Sequence, residues 1–382
     1  VSEYDYILPN RAGFEAGAAV RDITPPAGID LTGFVARMGP NTGVLDRIWA
    51  KALVLRWEEA GARRGAAIVA LDVLGLSDES LRTLRGRIER ATGIPGNSVL
   101  FCASHTHAGP ATQHLRHCGE VDPRYLEAFH GAVVEAVTEA AGRTVPARVA
   151  WASRVAESLD PHVINRRVRG GPRDLRLVGG LIERAEDGAP VAAVLRFTCH
   201  PVAVGSANRL VSRDWPGYAC DAVEAFLGGA PVLYLNGPAG NINPVGERGV
   251  ESSKRVGEAV GREALALFEE LRRAAAVRGA SAEGAVSPAV TEHGAAGLDI
   301  AEQIAAPGEA AQGGPAPVSA SGVAASSVAA SAVEAPSVAV AGIAVDLPFE
   351  AVPEAGVLEE LIGRHRRRAA EIEQADAARV WE

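Results

Sequence analysis

Three short apolar segments, each ending at a polar corner, limit what this chain can fold into. They begin at Val99, Val191 and Pro231 and read VLFCASHTHAGP, VAAVLRFTCHPVAV and PVLYLNGPAGNINP. Each apolar run is too short for a helix and is typical of a buried strand. The first two corners carry histidines, and the third is rich in glycine. These corners are therefore where we expect chemistry.

Helical patterns alternate with the strand patterns. Two adjacent strands are predicted at Trp49–Trp57 and Ala66–Leu74. A helix with a serine cap and an acidic first turn follows Ser77, another begins at Pro123, and a third covers about Val250 to Ala275. This alternation predicts an α/β fold, a mixed layered sheet-and-helix domain with its site at strand carboxyl ends.

The first corner places His105 and His107 two residues apart. On an extended segment, residues i and i+2 point to the same side, so both imidazoles can face one point beyond the strand end. Neutral imidazole is a ligand for zinc and other transition metals, and it can also act as an acid or base. The pair is therefore either a metal or catalytic site or two hydrogen-bonded loop histidines.

The second corner repeats this pattern with His200 after an apolar run. The ends of neighbouring parallel strands lie within reach of each other. We therefore expect His105, His107 and His200 to form one constellation.

Four other polar or glycine positions are candidates for the site, and the first three each have two interpretations. Asp72 ends a buried run, where a carboxylate must be paired or bind a cation, so it is either a partner of the site or a structural cap. Asp214, just before Pro216, either caps a helix or orients a histidine. Arg166 either holds an oxyanion or a substrate carboxylate or forms a surface salt bridge. Gly240 lets backbone approach a ligand closely and can expose N–H groups to an anion.

Composition excludes several classes of function. The net charge of −9 does not favour a nucleic-acid partner, and the 47% apolar content indicates a globular chain. Four cysteines without CxxC spacing exclude a zinc ribbon and favour a reducing compartment. We find no export signal and no membrane span in the sequence, so we expect a cytoplasmic protein.

We divide the chain into three parts. Residues 1–275 carry all of the motifs above and form the predicted α/β domain. Residues 276–341 are rich in Ala and Ser, and we expect a flexible insertion or linker because so little large apolar surface can be buried there. Residues 342–382 predict one strand and one helix that begin a further part of the protein.

Taken together, the motifs resemble the neutral/alkaline non-lysosomal ceramidase N-terminal domain family, above all its short bacterial members. The resemblance covers about Ala16 to Ala275. The matching segments are DITPPAG at Asp22–Gly28, SHTHAGP at Ser104–Pro110, INRR at Ile164–Arg167, CHPVAVG and NRLVSRDWPGY within Cys199–Tyr218, and NGPAGNINP at Asn236–Pro244.

The resemblance implies a zinc-dependent hydrolase in which water attacks an amide or related bond of a small or lipid-like substrate. By the same resemblance, His105 and His200 bind zinc. His107 contacts substrate or transfers protons, and Arg166 helps to hold the substrate oxygen. The candidates for substrate binding are Asp214, Gly240 and Asn243, all of which lie in matching motifs.

Two departures from the family separate this chain from ceramidases proper. Asn243 stands before Pro244 where they have serine, and Asn241 stands where they have an acid. The family also completes its zinc shell with a Glu and a Tyr from later segments, and no matching segment occurs here. We therefore expect the chain to lack the C-terminal portion, with a partner chain as one source of those ligands. The alternative function is an incomplete, non-catalytic member that keeps the fold and at most weak metal binding.

Overall fold

The computed structural model describes residues 13–281, and most of its strands belong to one mixed sheet. This sheet contains β1 (Glu15–Asp22), β3 (Trp49–Glu59), β4 (Ala62–Leu71), β5 (Val99–Ala103), β6 (Val145–Val155), β8 (Arg176–Arg184), β9 (Pro190–Phe197) and β11 (Val232–Asn236). The strand order is β11-β9-β8-β6-β1-β3-β4-β5. All neighbours are antiparallel except the parallel pairs β4–β5 and β9–β11.

The sheet folds over on itself between β1 and β6. These two strands share only the pairs Glu15–Pro146 and Ala16–Val145, which leaves the rest of their length free to diverge. One half then holds β1, β3, β4 and β5, and the other holds β6, β8, β9 and β11. The edge strands β5 and β11, at opposite ends of the strand order, come into contact.

Alternation along the strands supplies the core between the two halves. In β3, Leu53 points into this core, while its neighbours Ala52 and Val54 point to the opposite face. Ala70 of β4, Val194 of β9 and Leu233 of β11 meet Leu53 from the other strands. Because side chains alternate along each strand, each half of the sheet has one face that packs on the other half and one face that packs on helices.

The helices α1 (Asp78–Thr92), α2 (Pro123–Gly142), α3 (Trp215–Phe226) and α4 (Val250–Ser281) cover the two outer faces. α1 and α2 pack on the first half, with Leu84 and Phe129 in a core shared with β3 and β4. α3 and α4 cover the second half, where Trp215 and Phe268 are fully buried. None of the helices within residues 13–281 is long and apolar enough to cross a membrane.

Two short ribbons lie outside the large sheet. β2 (Gly43–Val44) pairs with β10 (Leu210–Val211), and β7 (Val163–Asn165) pairs with β12 (Ile242–Pro244). The second ribbon joins the segment that carries Arg166 to the glycine-rich loop that precedes β12. It therefore fixes two of the predicted motifs against each other.

The predicted mixed, layered α/β architecture is confirmed. One detail was wrong, because β5 and β9 are not neighbouring strands but lie in different halves of the folded sheet. The third predicted helix, α4, extends to Ser281 instead of ending near Ala275. The predicted linker beyond Ser281 and the predicted part at 342–382 lie outside the described residues.

Candidate metal centre

The first two histidines follow β5 where it leaves the sheet. The backbone N–H groups of Ser104 and His105 continue the pairing with β4 and its extension, and they donate to Leu71 and Val73. His105 then adopts a left-handed conformation with φ of 66°. The segment is therefore not extended as predicted, yet the His105 and His107 rings still meet, with centroids 5.0 Å apart.

The third histidine, His200, lies three residues after β9 and is held by the glycine-rich loop. Its backbone N–H donates to the carbonyl of Ile242 at 2.9 Å. Its ring Nδ1 lies 3.2 Å from the carbonyl of Ala239. The loop predicted to expose N–H groups to an anion therefore uses its carbonyls to position a histidine.

The three imidazoles converge on one point. One ligand nitrogen from each of His105, His107 and His200 lies within 4.8 Å of the others. His107 Nε2 and His200 Nε2 are 3.0 Å apart. The predicted three-histidine constellation is therefore formed, although the folding of the sheet brings its members together rather than the adjacency of two strands.

Hydrogen bonds to backbone carbonyls assign the tautomers of two rings. His105 Nδ1 lies 2.7 Å from the carbonyl of Leu74, just as His200 Nδ1 faces Ala239. A carbonyl can only accept, so each Nδ1 carries the proton and each Nε2 presents a lone pair. This arrangement, with the distal nitrogen bonded to the protein, is typical of metal-binding histidines.

Burial keeps two of the rings neutral. The pKa of His107 is lowered to about 2, chiefly by burial and then by the neighbouring His200 and His105. The pKa of His200 is lowered to about 4, again chiefly by burial, with His105 and Arg166 adding to the effect. A neutral imidazole is the form that binds a metal.

The cluster fits a zinc ion by the chemistry of its donors. With His200 in its assigned tautomer, its Nε2 presents a lone pair 3.0 Å from His107 Nε2, and the lowered pKa values of both rings mean that neither ring carries a second proton. A divalent cation would satisfy both nitrogens, and three imidazoles are a donor set that zinc accepts. His105 and His200 would hold it, and His107 lies close enough to supply a third ligand.

A partly buried arginine, which no sequence pattern marked as a site residue, supports His107. The guanidinium of Arg37 donates to the carbonyls of Thr32, His107 and Asn208, at 3.1, 2.6 and 2.9 Å. Phe34 packs on the His107 ring at 4.9 Å between centroids. Because the partners of Arg37 are backbone groups from three separate segments, no local sequence pattern marks it.

Arg166 lies beside the cluster on the ribbon of β7 and β12. Its backbone N–H donates to Asn241 and its Nε donates to the carbonyl of Gly240 at 2.9 Å, while the side chain remains largely exposed. Asn243 stands opposite Ile164 in the ribbon. Its Oδ1 is buried and accepts no hydrogen bond from any of residues 13–281.

The two carboxylates considered for the site lie elsewhere. Asp214 is fully buried and accepts from the N–H groups of Val204 and Trp215 and from the Ser253 hydroxyl, which corresponds to the helix-cap alternative. Burial raises its pKa to about 6. Asp72 accepts from the Trp49 N–H and does not belong to the histidine cluster, so a site that includes it with the histidines is not formed.

Comparisons with known proteins find likenesses to ceramidases. No family model matches the chain. The neutral ceramidase of Pseudomonas aeruginosa is 26% identical over 261 residues, which are 62% of this chain and 38% of that protein. The crystal structure of neutral ceramidase from Pseudomonas aeruginosa has a TM-score of 0.58 at 21% identity and covers 68% of this chain and 45% of that one.

A second solved structure, a ceramidase complexed with C2, has a TM-score of 0.58 at 20% identity over 66% of this chain and 43% of its own. The chain spans less than half the length of these relatives. At such identity the solved structures show a shared fold, and the curated match adds a likeness in sequence. The chain is therefore similar in sequence to part of a neutral ceramidase and shares the fold of that part.

Proposed function

We propose that this chain carries the histidine part of a zinc-dependent hydrolase that cleaves an amide or related bond in a lipid-like substrate. The observation that carries the proposal is the convergence of three imidazoles on one point within 4.8 Å. The relatives are ceramidases. A ceramide holds its fatty acyl chain in an amide bond, so the bond type and the substrate class follow from that likeness.

The histidines have distinct roles in this proposal. His105 and His200 would hold zinc through Nε2, because a backbone carbonyl occupies each Nδ1. Bound zinc lowers the pKa of a water ligand to about 7 and polarises a carbonyl oxygen. His107 supplies a third ligand or contacts the substrate, and these roles differ in whether a His107→Ala variant keeps its zinc.

Arg166 and Asn243 are the proposed substrate contacts. The Arg166 guanidinium is anchored through Nε to Gly240, which leaves its other N–H groups available to a substrate oxygen. The unpaired Oδ1 of Asn243 can accept from a substrate N–H or hydroxyl. Gly240 contributes through its carbonyl, which fixes the arginine.

Metal analysis tests the metal centre directly. We expect about one zinc per chain by elemental mass spectrometry of the full chain, and none in a His105→Ala/His200→Ala variant. The matched control is His114→Ala/His162→Ala, which removes two histidines outside the cluster found among residues 13–281. Equal zinc in both variants would contradict the proposed centre.

A turnover assay separates the hydrolase from the non-catalytic alternative. The zinc-loaded chain is given a soluble short-chain N-acyl sphingosine, and release of the free amine is measured. We expect Arg166→Ala to lose most of the turnover while it keeps its zinc. Zinc binding without any turnover would favour the alternative, a non-catalytic chain that keeps the fold.

A further inference from the structure

Exposed apolar side chains concentrate on the two loops that flank the histidine cluster. Eight large apolar side chains are exposed within residues 13–281. Val35 and Met38 are exposed by 69% and 82% on the loop that holds His107. Ile164 and Val168 are exposed by 43% and 59% on the segment that holds Arg166. Scattered apolar residues are ordinary on a protein surface, but a concentration beside a site indicates a binding surface.

The same segment carries cations without partners. Arg167 and Arg169 are exposed and form no ion pair with any carboxylate of the described residues. The two nearby acids are already paired, Asp160 with Arg173 and Asp174 with Arg196. In a chain whose net charge is −9, this turn is a local excess of positive charge.

Polar side chains inside the protein fix both loops. The Asn165 amide accepts from the N–H groups of Arg167 and Val168 and donates to the carbonyl of Pro172, so the turn is held from within. Arg37 fixes the other loop through three backbone carbonyls. The outward apolar and cationic side chains therefore stand on pre-organised backbone, which lowers the entropy lost on binding.

We propose that these two loops form a docking surface for a membrane that contains anionic phospholipid, and we define this apolar–cationic surface by Val35, Met38, Ile164, Arg167, Val168 and Arg169. Exposed arginines that alternate with exposed apolar side chains along one turn match the charged headgroups and acyl boundary of such a membrane. The surface flanks the histidine cluster, so docking would bring the site to a substrate held in the bilayer.

The role of this surface in presenting a substrate rests on the proposed function, but vesicle binding can be tested independently of it. Flotation of the full chain with vesicles of phosphatidylcholine and phosphatidylglycerol at a ratio of about 7 to 3 measures docking without any hydrolysis. We expect binding to these vesicles, loss of binding at high salt, and weak binding to pure phosphatidylcholine.

Two variants address the charged and apolar parts of the surface. Arg167→Glu/Arg169→Glu should weaken binding at least roughly 30-fold, since each basic residue near an anionic surface contributes about fivefold. Ile164→Ser/Val168→Ser should weaken it by about tenfold. The matched control Arg82→Glu/Arg90→Glu makes the same charge change on exposed positions of α1 and should bind nearly as the parent does.

The outcomes are distinct. Equal loss in the control and in the turn variants would show a general charge effect and overturn the docking surface. No vesicle binding, or concentration-dependent self-association that the turn variants abolish, would also overturn it, the latter in favour of a protein partner. Turnover of the soluble short-chain substrate is measured separately. Loss of docking with intact turnover would overturn the docking surface and still support the proposed hydrolase. Docking without turnover would contradict the hydrolase and still support the docking surface.

Discussion

The backbone around the histidine cluster is strained in a way that serves the site. His105 has φ of 66°, in the left-handed region that few residues other than glycine occupy. Two hydrogen bonds hold His105 in this conformation, one from its backbone N–H to the carbonyl of Val73 and one from its ring Nδ1 to the carbonyl of Leu74. Such conformations persist only where the surroundings determine them, and they are concentrated at functional sites.

His107 packs directly against Gly33, so a substitution at Gly33 tests whether this contact positions the His107 ring. A Cβ at Gly33 would lie 2.5 Å from His107 Nδ1, at a backbone φ of +103°. We expect Gly33→Ala to reduce the free energy of unfolding by about 2 to 4 kcal/mol. We also expect zinc affinity to fall by about tenfold, since the displaced ring is a candidate ligand. Urea denaturation and zinc titration measure the two effects.

The control for this substitution is Gly28→Ala. Gly28 also has a positive φ, of +93°, but its Cβ would meet open space, so the variant carries the backbone strain without the clash. We expect it to cost about 1 kcal/mol and to leave zinc affinity unchanged. If both variants lose zinc affinity equally, then contact between Gly33 and His107 does not set the position of the ring.

The site residues were predictable from sequence where the signal was local. His105, His107 and His200 each follow an apolar run, and that pattern was sufficient to group them. Arg37 has no such pattern, because its role depends on three carbonyls that meet only in the folded chain. The left-handed turn at His105 was equally invisible, because the sequence there continues like a strand.

At the scale of elements, caps and stop signals predicted the helices well. Ser77 caps α1 and Gly93 ends it, and α2 runs from Pro123 to Gly142 as the pattern indicated. Strand pairing was harder to predict. The alternation of strands and helices along the sequence suggested that β5 and β9 are neighbours, but the sheet places them in different halves. Neighbours in a sheet are set by long-range packing, which local patterns do not encode.

Asp214 is the cap that connects several elements. It lies at the N-terminus of α3, and its carboxylate also accepts from Val204, near His200, and from Ser253 of α4. Asp122 is an ordinary counterpart, since it caps α2 through the Tyr125 N–H. The two residues therefore differ in how many elements depend on one carboxylate.

We expect Asp214→Ala to destabilise the protein by about 3 to 5 kcal/mol, because it leaves buried donors on α3, on α4 and in the loop after β9 unpaired. Asp122→Ala should cost about 1 kcal/mol, as a typical N-cap does. Thermal and urea denaturation of the two variants measure the difference. Equal losses would mean that the contacts of Asp214 to Val204 and Ser253 add nothing beyond a cap.

For the whole molecule, the fold of the sheet determines where the site forms. β5 and β9 lie in opposite halves, yet the histidines that follow them meet because the halves pack face to face and bring β5 against β11. The site therefore depends on contacts across the two halves as much as on its own hydrogen bonds. Any interaction that joins the halves supports the cluster from a distance.

Lys51 is such an interaction. It lies on β3, in the first half, and is nearly fully buried. Its ammonium group donates to Glu224 on α3 and to the carbonyl of Val232 on β11, at 3.1 Å for the latter, so it links the first half to the second. The Glu224 carboxylate also accepts from the Val232 N–H.

Removing the ammonium alone should be costly, because the partly buried Glu224 carboxylate and the buried Val232 carbonyl would both lose their donor. We expect Lys51→Met to lower the free energy of unfolding by about 3 to 5 kcal/mol. A Lys51→Met/Glu224→Gln variant should recover at least half of that loss, because it also removes the uncompensated charge while an acceptor remains for Val232. Arg87→Met, at the exposed pair with Glu127, should cost less than about 1 kcal/mol and serves as the control. Urea denaturation of all three variants measures these differences. A double variant no more stable than Lys51→Met would contradict the prediction. The loss of stability would then come from lost packing and not from an unpaired charge between the two halves of the sheet.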